Sequence, residues 1–238
     1  MDEVARQVES RAERLALLSL EGMFDDPFWR VRYGEERARR FGSEDALFHV
    51  RYLVQALDLH DPGVMDRYAR WLQGLLVPRG MSSRHIASHF QGLRAALRRE
   101  GLDLERTPQV GAALDAALAA LLYPSGPARA LQLAAPELAR KALARLPQGG
   151  DEATLERLTE EVLLHLSYLA DALGTGRPSL FADHVRWYTG FWSQRRLPGT
   201  FAGLLAALEE VLAAEPALAG EPRTALVTGR AVFEERRA

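Results

Sequence analysis

Apolar positions recur at helical spacing through almost the whole chain. Val4, Val8, Leu15 and Leu18 share one helical face between Glu3 and about Leu20, and the run closes near Gly22. Asp25-Asp26-Pro27 then predicts an N-terminal cap with proline at the first helical position. Phe28, Trp29, Val31 and Tyr33 follow as an aromatic anchor. Gly42-Ser43-Glu44-Asp45 predicts the start of the next helix, with Ser43 as its cap and acids in its first turn. That helix runs to about Leu59, and Asp61-Pro62 restarts the chain. Val64, Tyr68, Trp71 and Leu75 form the apolar stripe of the following helix, a spacing that predicts a buried Trp71. Further helices are predicted from about Ser83 to Arg99, around Val110 to Leu122, from Ala128 to Leu146, and from Arg223 to Arg237.

Most of one stretch is written twice. A shift of 116 carries Glu44, His49, Tyr52, Leu53, Pro62, Arg70, Trp71, Gly74 and Arg79 onto Glu160, His165, Tyr168, Leu169, Pro178, Arg186, Trp187, Gly190 and Arg195. Further on the offset is 111, and Phe90-x-Gly92-Leu93 falls on Phe201-x-Gly203-Leu204. The first copy therefore has five extra residues in one connection. In the second copy the first repeated helix is expected to start early, near Asp151. Gly74 and Gly190 each sit mid-helix, three residues after a Trp, which predicts close helix approach or a bend. Tyr123-Pro124-Ser125-Gly126-Pro127 breaks the pattern between the copies. The expected architecture is all-α: a duplicated helical bundle in two pseudo-symmetric halves, residues 1–124 and 125–238.

Composition narrows the function classes. Apolar residues make up 47% of the chain and charged residues 26%, the balance of a globular protein. Ile occurs once, so the inventory favours helices over strands. With no Cys, disulfide and thiolate chemistry are excluded. The net charge of −2 has both signs interleaved and gives no field to attract nucleic acid. Arg37-Ala38-Arg39-Arg40 and Arg236-Arg237 are each preceded by paired acids and read as solvated faces. No apolar run reaches the roughly 18 residues of a membrane span, and no signal peptide is visible, so the expected location is the cytoplasm.

The candidate chemistry lies in the repeat. Asp45 or Glu161, His49 or His165, and Tyr52 or Tyr168 follow one another at offsets of four and three, so acid, imidazole and phenol share a helix face. Asp45, His49, Glu161 and His165 are therefore candidate ligands for a metal in a bundle core, although di-iron bundles use a Glu-x-x-His spacing that is absent here. A second grouping adds the next helix. His49, Tyr52, Arg70 and Trp71, with His165, Tyr168, Arg186 and Trp187, are candidates to hold a tetrapyrrole or other small cofactor: imidazole ligates the metal, arginine pairs with a carboxylate and tryptophan stacks on a flat ring. Adjacent Arg70 and Trp71 point about 100° apart on a helix, which limits that grouping. The same residues also suit a structural role, with buried His and Tyr hydrogen-bonded across the bundle, to Arg70 or Arg186.

Other short matches carry less. Asp58-x-His60-x-x-Gly63 spells the lower-ligand motif of cobalamin-binding Rossmann-like domains, but here it ends a helix in a helical chain, and its copy, Gly174-x-Gly176-x-x-Ser179, keeps no ligand. His85 and His89, four apart, have no copy and predict a surface pair. His184 stands where Tyr68 does in the first copy, a swap that suggests one half has specialised. Gly174-Thr175-Gly176 has neither the preceding strand nor the Lys-Ser/Thr of a phosphate loop.

The repeated phrase His-x-x-Tyr-Leu-x-x-Ala-Leu, then Pro, then Arg-Trp, resembles helical modules of bacterial sensory and cobalamin-domain proteins over about half of the chain. The resemblance implies a regulatory module rather than an enzyme and carries no functional residue with it. The leading expectation is a non-enzymatic sensory or ligand-binding module, with a small-molecule or protein partner and a homodimer as one possible assembly. The alternatives are a carboxylate/His metal protein and an interaction scaffold.

Overall fold

In a computed structural model the described residues are 1–102, 105–147, 149 and 151–235. Arg236 and Arg237 lie outside them. The described residues form α-helices and short 3-10 turns, with no strand. The helices are α1 Glu3–Glu9, α2 Ala12–Ser19, α3 Pro27–Tyr33, α4 Glu35–Asp58, α5 Gly63–Leu76, α6 Ser83–Arg99, α7 Pro108–Ala120, α8 Gly126–Leu143, α9 Glu152–Gly174, α10 Ser179–Arg195, α11 Phe201–Ala213 and α12 Glu221–Glu235. None of them is long and apolar enough to cross a membrane.

Local chemistry sets many of the starts. The Asp2 carboxylate accepts from the Val4 and Ala5 amides, Asp26 from Phe28 ahead of Pro27, Asp151 from Thr154, and the Thr200 hydroxyl from Gly203. Each side chain satisfies amides that the first helical turn leaves open. At Asp61 the carboxylate accepts from Gly63 and opens α5 after Pro62.

Three sequence expectations are corrected. The first predicted helix is two, because Arg11 leaves helical geometry and sends its guanidinium to the Glu100 carbonyl. Ser43 is not a cap: α4 begins at Glu35 and passes straight through, with the Ser43 hydroxyl donating back to the Arg39 carbonyl. Gly42 is helical there, and a Cβ on it would stand 2.9 Å from the Phe24 ring. Of the close approach or bend expected at Gly74 and Gly190, the close approach is absent: both are exposed, and a Cβ on either meets nothing within 4 Å.

The chain divides into two compact units. The first comprises residues 1–76 and 84–121, the second 77–83 and 122–238. In the first, α1, α2 and α3 pack along α4, and α5 packs on both α4 and α7. Leu15, Leu53, Met65, Phe90 and Leu114 fill its core. In the second, α8 lies along α9, while α10 and α11 pack on α12 around Phe181, Tyr188, Phe191 and Leu208. Dropping such apolar side chains from water stabilises by about 1.5–3 kcal/mol each before the entropy of ordering is charged against it.

Candidate functional site

Each unit buries imidazoles against a neighbouring helix. In the first, His49 of α4 is 3% exposed. Its Nδ1 lies 2.8 Å from the Tyr68 hydroxyl of α5, and its Nε2 lies 3.3 Å from His89 Nδ1 of α6. Tyr52 stacks on Tyr68 with ring centroids 3.8 Å apart, and Phe90 closes over His49 at 5.0 Å. The donors in this chain all run one way. Either Tyr68 donates to His49, which donates through Nε2 to His89, or His89 donates to His49 and His49 to Tyr68.

Both arrangements keep the imidazoles neutral, and burial favours that state. Burial, followed by the neighbouring His89, pulls the His49 proton affinity well below the ordinary histidine range. Burial alone brings His89 to about 4. Burial, with the nearby Asp45 carboxylate next, pushes the Tyr68 hydroxyl upward, so it too stays neutral. Asp45 itself is half-buried, and burial raises its carboxyl above the usual range, with Glu44 adding to the shift.

In the second unit His165 of α9 is fully buried, with Nδ1 2.8 Å from His184 Nε2 of α10. Tyr168 stacks on His184 at 3.6 Å and Phe201 covers His165 at 5.1 Å. Here the acid is inside: Glu161 is fully buried, pairs with Arg195 and accepts from the Tyr188 hydroxyl. Its carboxylate is 3.9 Å from His165 Nε2. Burial, then the Arg195 cation, takes the His165 proton affinity down to about 3. Buried ion pairs of this kind hold only while both partners remain.

The remaining sequence candidates lie elsewhere. Arg70 is exposed and grips Asp66 through two bonds of 2.9 and 3.0 Å, and exposed Arg186 pairs with Asp183. The buried histidines are thus hydrogen-bonded to Tyr68, His89 and His184 rather than to these arginines. Trp71 is 58% exposed, against the core position its spacing predicts, because Tyr68 and Leu72 take the inward face. Trp187 is half-buried and stacks on Phe191 at 4.9 Å. His60 is exposed, near Asp2. Among the described residues no group of three or more His, Asp and Glu is arranged to hold a metal ion.

His89, like Trp71, departs from the sequence expectation. It is 8% exposed, not a surface partner of His85, which stacks on Phe28 at 4.5 Å. A further buried group is Asp171, 1% exposed, within the apolar run Leu169-Ala170-Asp171-Ala172-Leu173. The acid inside that run is the signal that could have found it. An open groove of about 900 Å³ also lies on the first unit, lined by the α1–α2 turn and by Leu47, Arg51, Val54 and Asp58 of α4. No family model, curated protein or solved structure matches the chain.

Proposed function

We propose that this chain is a non-enzymatic, cytoplasmic ligand-binding module built from two copies of one helical bundle, with its imidazole stripes serving to fix helix packing. Duplication is supported by the paired geometry. His49–Tyr68 and His165–His184 are both 2.8 Å contacts between residues 19 apart, each beneath a stacked tyrosine and beside a phenylalanine at 5.0 or 5.1 Å. The observation that carries the packing role is that the stripe's imidazoles meet groups of the adjoining helix: His49 uses both ring nitrogens on Tyr68 and His89. A tetrapyrrole or metal at His49 would have to break those contacts and leave buried polar atoms unpaired, at about 1–3 kcal/mol each.

Ligand binding then belongs to the open groove of the first unit. Its volume is that of a small-molecule site, and its lining joins apolar Leu47 and Val54 to charged Arg51, Arg14 and Asp58. Thermal-shift and absorbance titrations of the purified chain with haem, cobalamin and a small-molecule set test both parts. The expected result is no haem or cobalamin band, with small-molecule shifts lost in Arg51→Glu and kept in Tyr52→Phe. A stoichiometric absorption band that disappears in His49→Ala would overturn the reading.

A further inference from the structure

We propose that Asp171 is a proton-operated clasp on the connection between α5 and α6: the neutral acid holds the connection shut, and ionisation drives it open. The connection, residues 77–83, belongs to the second unit by its contacts, although the chain on either side of it belongs to the first. Val77, Ser82 and Ser83 are buried. Two residues of α9 grip it from one helix face. The Tyr168 hydroxyl donates to the Gly80 carbonyl at 2.9 Å. Asp171, three residues on, accepts from the Ser83 amide at 2.7 Å through Oδ2 and from the Ser83 hydroxyl at 2.5 Å through Oδ1. The Tyr123 hydroxyl reaches the same Oδ1 at 3.0 Å.

The three donors suit a charged carboxylate, and burial without a cation works against it. A carboxylate at 1% exposure has lost its water, and the groups acting on it are one amide and two hydroxyls, with no cation among them. Desolvation of that kind is costly without a positive partner. The neutral acid keeps most of these contacts: Oδ2 still accepts from the Ser83 amide, while one hydroxyl can turn and accept a proton donated from Oδ1, giving up its own donation there. Tyr123 is the titratable group facing Asp171, and its own hydroxyl is held neutral by burial and by the Asp171 charge. Burial therefore brings Asp171 up to about 6, with the Ser83 and Tyr123 bonds pulling the other way.

The sign follows. A clasp whose closed form binds a proton at about 6 and whose open form releases it near 3.8 opens more readily as pH rises through that interval, and levels off above it. Between pH 5 and pH 7 the opening constant should rise about tenfold.

Hydrogen exchange of the Met81, Ser82 and Ser83 amides in the full chain, corrected for the intrinsic pH dependence of exchange, reads that constant. The expected result is the tenfold rise in the wild type and a flat profile in Asp171→Asn, whose amide keeps the acceptor for Ser83. A flat wild-type profile, or the same rise in Asp171→Asn, overturns the clasp. Titration of the Asp171 carboxyl carbon by NMR gives an independent reading. The midpoint should be near 6 and move upward in Tyr123→Phe, which removes one donor to the charged form; a midpoint in the ordinary aspartate range sinks the proposal.

Discussion

Glycines illustrate how far a single residue's environment departs from its sequence signature. Gly174 ends α9 where the first copy has Asp58, and as a residue type it marks only a helix terminus. In the structure a Cβ there would run into the Tyr123 ring, inside any real contact distance. The same ring donates its hydroxyl to Asp171, so it has little freedom to withdraw. Gly174→Ala should therefore destabilise by roughly 1–3 kcal/mol, the usual cost of overpacking. Gly74→Ala and Gly190→Ala should do the reverse, adding about 0.5–1 kcal/mol each, because both positions are helical and open to solvent. Urea unfolding of the three variants checks the contrast, and a stable Gly174→Ala variant would show that Tyr123 yields.

At the level of helices, the periodic part of the architecture is legible in the sequence and the cross-helix part is not. The caps at Asp26 and near Asp151 and the span of α6 all follow from spacing and cap chemistry, as does the placement of His49 and His165 on buried faces. Spacing within one helix says nothing about which residue of another helix arrives opposite, which is why the sequence does not group His89, Tyr188 and Arg195 with those histidines. Neighbouring turns hide the rest: Trp71 fits the stripe of α5, yet the inward face runs through Val64, Tyr68 and Leu72 and leaves it outside. The contact between α4 and α6 through His49 and His89 predicts a measurable coupling. Each single change to alanine should cost about 2–4 kcal/mol, as a cavity opens and a buried polar partner is stranded. The double variant should cost less than the sum by about 0.5–3 kcal/mol. Strict additivity in a double-mutant cycle would mean that the 3.3 Å contact contributes nothing to the register of the two helices.

Across the whole molecule the two units hold buried titratable groups in different balance, and acid should separate them. A histidine whose folded proton affinity is depressed contributes stability that is present above the unfolded value of 6.5 and lost as pH falls toward the folded one. Each such imidazole withdraws up to about 1.4 kcal/mol per pH unit inside its window. In the first unit His49 and His89 act in this direction as a coupled pair, and half-buried Asp45, with its raised carboxyl, opposes them. In the second unit His165, bonded to buried His184 and beside the Glu161–Arg195 pair, acts the same way, and fully buried Asp171 opposes it, gaining stability as pH falls from about 6 toward 3.8. Acidification from pH 6.5 to 4 should therefore weaken the first unit ahead of the second. Hydrogen exchange resolved by helix would show α4 and α5 losing protection while α9 and α10 hold theirs. In Asp171→Asn the opposition is gone, and α9 and α10 should become acid-labile over the same range. Parallel loss in both units of the wild type would mean that Asp171 does not set the acid response of the second.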